Sequence, residues 1–159
     1  MSIEPEGPEV ELWTDGSGTV MGQPGGWACV LRQKRDGEWV EREISGAAES
    51  TTNNRMELTA LMEGLRALRR PCNVVVYTDS EYVANPFIKG WLPIWKARNW
   101  SKVKNSDLWK EILRRSVTHR LELSWVKGHS GVDLNERCDK LAGQERANLM
   151  EIMAKELAF

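Results

Sequence analysis

Four acids stand where packing alone explains them poorly: Asp15, Glu57, Asp79 and Asp139. Clustered carboxylates repel one another unless cations sit between them. Hard oxygen ligands with no paired cysteine and little histidine select Mg2+ or Mn2+. Two such ions roughly 4 Å apart stabilise the attacking and leaving oxygens of a phosphodiester displacement. Each acid also has a plainer reading. Asp15 precedes Gly16, and Asp-Gly is a strong turn signal. Glu57 lies four residues before Leu61 and eight before Leu65, so it projects from the apolar face of a helix. An unpartnered charge there is costly. Glu57 also fits the third position of a capping box begun by Asn54. Asp79 closes the run Val74-Val75-Val76-Tyr77-Thr78, where ligands of open parallel sheets bind, and it equally suits an N-cap. Asp139 lies inside a last helix, with Glu136 three residues earlier on roughly the same face. A solvated helix face is the alternative for both, and Glu136 also fits a capping box begun by Asp133.

The elements that must position these acids follow from periodicity. Val10 to Trp13, Trp27 to Gln33 and Trp39 to Ile44 read as three antiparallel strands. Leu61, Leu65 and Leu68 recur at helical spacing over 54–70, and Pro71 ends that pattern. Val74 to Tyr77 is apolar throughout, as in a strand covered on both faces. A short helix starts after Asp79-Ser80 and stops before Pro86, a further one spans 90–96, and 107–117 is amphipathic. Leu121 to Trp125 alternates as a last strand, Gly128-His129-Ser130-Gly131 is a flexible loop, and a final helix starts near Asp133. The order is β-β-β-α-β-α-α-β-α, an α/β fold with a mixed sheet and helices on its faces.

At 159 residues, 41% hydrophobic and 28% charged, the chain suits one soluble domain. Residues 1–8 read as a disordered lead-in, 9–145 as the domain, and 146–159 as an amphipathic helical extension built on Leu149, Ile152, Met153 and Leu157. The extension is expected to pack on the body, with a partner-binding helix as the alternative. No apolar run is long enough for a membrane span, and the acidic N-terminus is unlike a signal peptide. Cys29, Cys72 and Cys138 have no paired spacing and read as free thiols in a reducing, cytoplasmic compartment. The net charge of −1 argues mildly against a nucleic-acid partner. The local distribution argues the other way: Lys89, Lys96, Arg98, Lys102 and Lys104 surround Trp91, Trp95 and Trp100. Helical i, i+4 core packing is the alternative for Trp91 and Trp95. His119 reads as a surface residue.

Thr14-Asp15-Gly16-Ser17, Thr51-Thr52-Asn53-Asn54-Arg55-Met56-Glu57-Leu58, Tyr77-Thr78-Asp79-Ser80 and Trp125-Val126-Lys127-Gly128-His129, followed by Asn135-Glu136-Arg137-Cys138-Asp139, resemble type 1 ribonuclease H of the stand-alone bacterial kind. The match runs in order over about residues 9–142. The resemblance implies a ribonuclease H-like fold, a five-stranded mixed sheet of order 3-2-1-4-5 flanked by helices. It implies an endonuclease that hydrolyses the RNA strand of RNA–DNA hybrids with two Mg2+ ions, Mn2+ substituting, and leaves 5′-phosphate and 3′-hydroxyl ends. Removal of primer RNA or R-loop RNA is the implied role. Asp15, Glu57, Asp79 and Asp139 match the metal-binding acids. His129 matches a loop histidine that helps proton transfer or product release, against the alternative of an exposed loop residue. Glu136 matches an acid linked to metal exchange. Asn53 and Asn54 match residues that read 2′-hydroxyls, and Thr52 and Asn105 a DNA-phosphate pocket. Trp91 and Trp95 match the channel against DNA sugars, with Lys96 and Trp100 continuing into a basic handle. No membrane or obligate protein partner is implied, and a monomer is expected.

The chain departs from the family pattern in its hybrid-gripping parts. Its first loop lacks the asparagine that touches RNA, leaving Gln23 as the nearest substitute, and Ser50 replaces a phosphate-pocket arginine. The handle from Lys96 to Asn105 is short. The alternatives to a hybrid-specific nuclease are a DNA-directed nuclease of the same fold and a catalytically weak hybrid-binding module.

Overall fold

In a computed structural model that describes residues 7–18, 21–128 and 133–156, the chain folds around one twisted sheet. The strands are β1 (Glu9–Ser17), β2 (Gln23–Arg35), β3 (Glu38–Thr51), β4 (Asn73–Thr78) and β5 (Arg120–Trp125). The helices are α1 (Asn53–Arg66), α2 (Glu81–Ile88), α3 (Trp91–Ala97), α4 (Ser106–Ser116) and α5 (Asp133–Glu156). The sheet order is β3-β2-β1-β4-β5. β1 pairs antiparallel with β2 and parallel with β4, so β1 and β4 end at the same edge of the sheet.

The core explains why the helices lie where they do. Leu58, Leu61 and Leu65 of α1 pack with Leu12 of β1 and Val74 and Val76 of β4. Gly64 lets α1 approach, since a Cβ there would meet Leu12 Cδ1 at 2.5 Å. Trp109 and Ile112 anchor α4 in the same cluster. On the opposite face, Cys138 of α5 packs with Trp13 and Val30, and its thiol donates to the Trp13 carbonyl at 3.4 Å. The sheet is thus clamped between α1 and α5.

Several expectations change. Three helices separate β4 from β5, matching the three spans read individually but not the element order, which counted two. Pro86 lies inside α2 rather than ending it. A helix that short loses at most one ladder bond to proline, and the Lys89 N–H still reaches the Asn85 carbonyl. α1 ends at Arg66, before Pro71, with Ala67 as its C-cap. β4 is not covered on both faces: Val74 and Val76 are buried, while Val75 and Tyr77 are half-buried on a face that α5 leaves open beside β5. The C-terminal stretch continues α5 through Glu156. Met150 and Ile152 remain 45% and 53% exposed, so the last turns bury their apolar positions poorly. Leu157 lies outside the described residues. The three thiols are free and buried. No helix among the described residues is long and apolar enough to cross a membrane.

Candidate active site

Asp15 is not a turn residue. It lies in β1, paired with Ala28, and the strand continues through Gly16 and Ser17. The Asp-Gly signal is overridden because the α1 N-terminus comes down on this stretch. A Cβ at Gly16 would sit 2.4 Å from the Glu57 nitrogen, so only glycine permits the approach. The Gly16 N–H donates to Asp15 Oδ1 at 2.9 Å, and the Gly18 N–H to Asn53 Oδ1 at 3.2 Å. These contacts fix the end of β1 against the start of α1.

The cap of α1 is Thr52, two residues earlier than expected. Its hydroxyl accepts the Arg55 N–H at 3.2 Å. Glu57 therefore stands in the second turn rather than at a cap position, and it is 4% exposed. Its apolar-face reading holds and its capping-box reading does not. Asp79 likewise is not an N-cap. Ser80 takes that part, accepting the Val83 N–H at 3.2 Å. The Asp79 backbone is held instead by Trp125, whose indole donates to its carbonyl at 2.9 Å. Gly128 passes so close that a Cβ there would meet Asp79 Oδ2 at 2.9 Å.

The result is a compact anionic cluster. Asp15, Glu57 and Asp79 each place a carboxylate oxygen within 4.8 Å of the others. Asp139, on the exposed side of α5, lies near enough to raise the Asp15 pKa by charge and hydrogen bond. Glu136 is exposed one turn earlier on the same helix. His129 lies outside the described residues. Burial, followed by the charge of Asp15, pushes Glu57 well above the ordinary carboxylate range. Asp15 is pushed up to about 7, mainly by burial, with the Asp79 charge adding to it and a hydrogen bond with Glu57 opposing it. Glu57 Oε2 is buried without a hydrogen-bond partner. A buried carboxylate with an orphaned oxygen beside two other carboxylates is an unfavourable arrangement that a divalent cation relieves. The oxygen-only donor set fits Mg2+ or Mn2+.

The remaining expected residues divide. Asn53 and Asn54 are exposed on the first turn of α1, beside the cluster. Thr52 uses its oxygen as an acceptor, which leaves its hydroxyl proton available to a ligand. The Asn105 side chain is already occupied at both ends, accepting from Arg55 at 3.2 Å and donating to Tyr82 Oη at 2.8 Å. Trp95 packs edge-on against Trp109 at 5.7 Å, so it is part of the core margin. Trp91 leans on Trp95 at 6.0 Å, stays 37% exposed and carries Lys89 above its ring. Trp100 is half-buried against Trp95, and Lys96 is exposed. Gln23 and Ser50 are both exposed, on opposite strands of the β2–β3 pairing. His119 is not a plain surface residue. Its Nδ1 accepts the Cys72 N–H at 3.1 Å, which requires the neutral ring, and burial lowers its pKa.

Sequence reasoning missed Gly16, Gly128, Trp125 and Arg55. Gly16 and Gly128 lie beside acids already singled out, and glycine there was the available signal. The roles of Arg55 and Trp125 depend on partners far away in the chain.

A 3-2-1-4-5 mixed sheet clamped by helices, with a carboxylate cluster suited to a divalent cation at the shared end of β1 and β4, is the architecture of a ribonuclease H-like enzyme. Comparisons agree. The RNase H family profile matches residues 7–147. The ribonuclease H of Thermoanaerobacter sp. (strain X514) is 49% identical over 141 residues, covering 86% of this chain and 88% of that relative. The ribonuclease HI of Helicobacter pylori (strain ATCC 700392 / 26695) is 50% identical over 137 residues, covering 86% and 92%. The crystal structure of LC9-RNase H1, a type 1 RNase H with the type 2 active-site motif, superposes with a TM-score of 0.83 at 30% identity, over 92% of this chain and 75% of that one. The chain belongs to the ribonuclease H family.

Proposed function

We propose that this chain hydrolyses the RNA strand of RNA–DNA hybrids in a divalent-metal-dependent reaction, leaving 5′-phosphate and 3′-hydroxyl ends. The observation that carries the reading is the triad of Asp15, Glu57 and Asp79, the first two buried and the third half-buried, with Glu57 Oε2 lacking a hydrogen-bond partner. Asp15, Glu57, Asp79 and Asp139 hold two Mg2+ ions, and Mn2+ substitutes. When bound, these ions supply an activated water and neutralise charge on the leaving 3′ oxygen. The carboxylates orient the site, and the closeness of Gly16 and Gly128 keeps their backbone fixed. His129 moves a proton or aids product release, and Glu136 acts in metal exchange at the rim.

The hybrid lies across the α1 N-terminus and the handle. Asn53 and Asn54 read the minor groove, where the 2′-hydroxyl distinguishes RNA from DNA. Thr52 donates to a DNA phosphate. Asn105 supports that pocket through its backbone, since its amide is occupied. Trp91 offers its exposed ring to a DNA sugar, and Lys96 and Trp100 extend the surface. Removal of primer or R-loop RNA by a cytoplasmic monomer is the role this activity suits. Labelled RNA–DNA, RNA–RNA and DNA–DNA duplexes test the reading. Selective loss of the RNA strand in the hybrid supports it, equal cutting of all three points to an unspecific nuclease, and tight binding without cutting points to a binding module.

A further inference from the structure

Arg55 precedes Glu57 by two positions on α1 but takes no part in the carboxylate cluster. Its guanidinium forks onto Asp107, with Nη1 to Oδ1 at 3.1 Å and Nη2 to Oδ2 at 2.8 Å. Nη1 also donates to Asn105 Oδ1 at 3.2 Å, and the Asn105 amide passes the link on to Tyr82 of α2. One side chain of the catalytic helix therefore holds both the start of α4 and the end of the basic handle. That handle is a strained segment. Asn99, Trp100, Lys102 and Asn105 have φ of 54, 63, 61 and 58°, a region that residues with a Cβ seldom occupy. Such a backbone persists only where its surroundings over-determine it. The Trp100 ring on Trp95 fixes one end of the segment, and the Arg55–Asn105–Tyr82 chain fixes the other.

We infer that Arg55 is a positioning residue for hybrid binding, locking the 99–105 turn to the α1 N-terminus so that Thr52 and the handle lysines Lys102 and Lys104 meet one duplex in a single register. This rests on the reading of the chain as a hybrid-binding nuclease. Arg55 is no phosphate ligand itself, because its charge is matched by Asp107 and its fork is committed. A lysine has one compact ammonium and cannot bond Asp107 twice while also reaching Asn105.

The test compares wild type with Arg55→Leu, Arg55→Lys and Asp107→Asn in steady-state cleavage of a labelled hybrid, alongside thermal melting and the salt dependence of KM. The Leu variant is expected to raise KM about tenfold, equivalent to about 1.4 kcal/mol of binding, with kcat within about twofold. The slope of log KM against log salt is expected to stay that of wild type, whereas loss of a direct phosphate contact lowers it by about one. The Lys variant is expected to keep the raised KM. Asp107→Asn keeps the shape of the pair and is expected to shift KM the same way by a smaller factor, so it serves if the Leu variant does not fold. An unchanged KM with only a lower Tm would show a purely structural pair and overturn the inference. So would full rescue of KM by Lys, a fall in kcat alone, or a salt slope lower by one. A wild type that leaves the hybrid uncut overturns the functional reading instead, a result visible before any variant is compared.

Discussion

Asp15 and Glu57 owe their chemistry to burial as much as to type. Both are all but excluded from water; the charge of Asp15 raises the cost of ionising Glu57, while the hydrogen bond with Glu57 eases the ionisation of Asp15. Asp15→Asn keeps the shape but removes one charge from the cluster, and it is expected to lower kcat on the hybrid at least about 100-fold, in the range where lost electrostatic stabilisation is usually found. Unchanged activity would remove Asp15 from the metal set. Gly16→Ala tests the geometry rather than the charge. Its Cβ would press on the Glu57 backbone nitrogen, so β1 and α1 must separate. Denaturant melts are expected to show about 1–3 kcal/mol of destabilisation, as for other overpacked sites. Activity is expected to fall with it, because the Asp15 and Glu57 carboxylates move apart. Of these residues Glu57 was legible in part: the leucine period placed it on the apolar face, while a capping box begun by Asn54 fitted it as well. Asp15 was not legible as a strand residue, because Asp-Gly signals a turn and only the tertiary approach of α1 overrides it. Asp79 and Ser80 are adjacent capping types, and propensity does not say which of the two caps α2.

The element that unites the molecule is α1. Its C-terminal half is core, through Leu61 and Leu65, and its N-terminal half presents Thr52, Asn53, Asn54, Arg55 and Glu57 at the site. Thr52→Ala removes the acceptor for the Arg55 N–H and is expected to cost about 1 kcal/mol in chemical denaturation, a usual value for a lost N-cap. It is also expected to raise KM for the hybrid, since the same hydroxyl is the proposed phosphate donor. A loss of stability with no change in KM would leave Thr52 a cap and nothing more. The helix and five strands were readable from period and alternation, but their ends were not. β1, β2 and β3 each extend past the apolar runs that signal them, because ladder pairing continues through residues of weak β preference such as Gly25, Gly26 and Gly46. Pro86 misled as a terminator because α2 is short enough to tolerate it.

At the scale of the whole molecule, the metal-free fold carries its carboxylate cluster as a burden. Asp15 has a folded pKa of about 7 against an ordinary value of 3.8. The folded state therefore holds a proton that the unfolded chain has already lost between those two values. Stability from this group is fully present below about pH 4 and is lost as the pH rises through about 7. In EDTA, the Tm is expected to fall from pH 5 to pH 8 for this reason, once other titrations are subtracted with Asp15→Asn as reference. Mg2+ is expected to raise the Tm more at pH 8 than at pH 6, because it binds the ionised cluster of the native state. A Tm indifferent to Mg2+ at pH 8 would contradict a metal site. The sheet order was legible through the motifs, and so was the meeting of Asp15, Glu57 and Asp79. The long-range links were not: Arg55 to Asp107 spans 52 residues and Trp125 to Asp79 spans 46, and neither leaves a local pattern.

On the proposed reading, the carboxylate cluster holds the metal that cuts RNA in a hybrid. The most direct measurement is cleavage of a hybrid labelled on both strands, by wild type and Asp15→Asn, in Mg2+ and in EDTA. RNA-strand products ending in 5′-phosphate are expected from wild type in Mg2+, with no products in EDTA and almost none from the variant. RNA-strand cutting that persists in EDTA, or in Asp15→Asn at the wild-type rate, would contradict it.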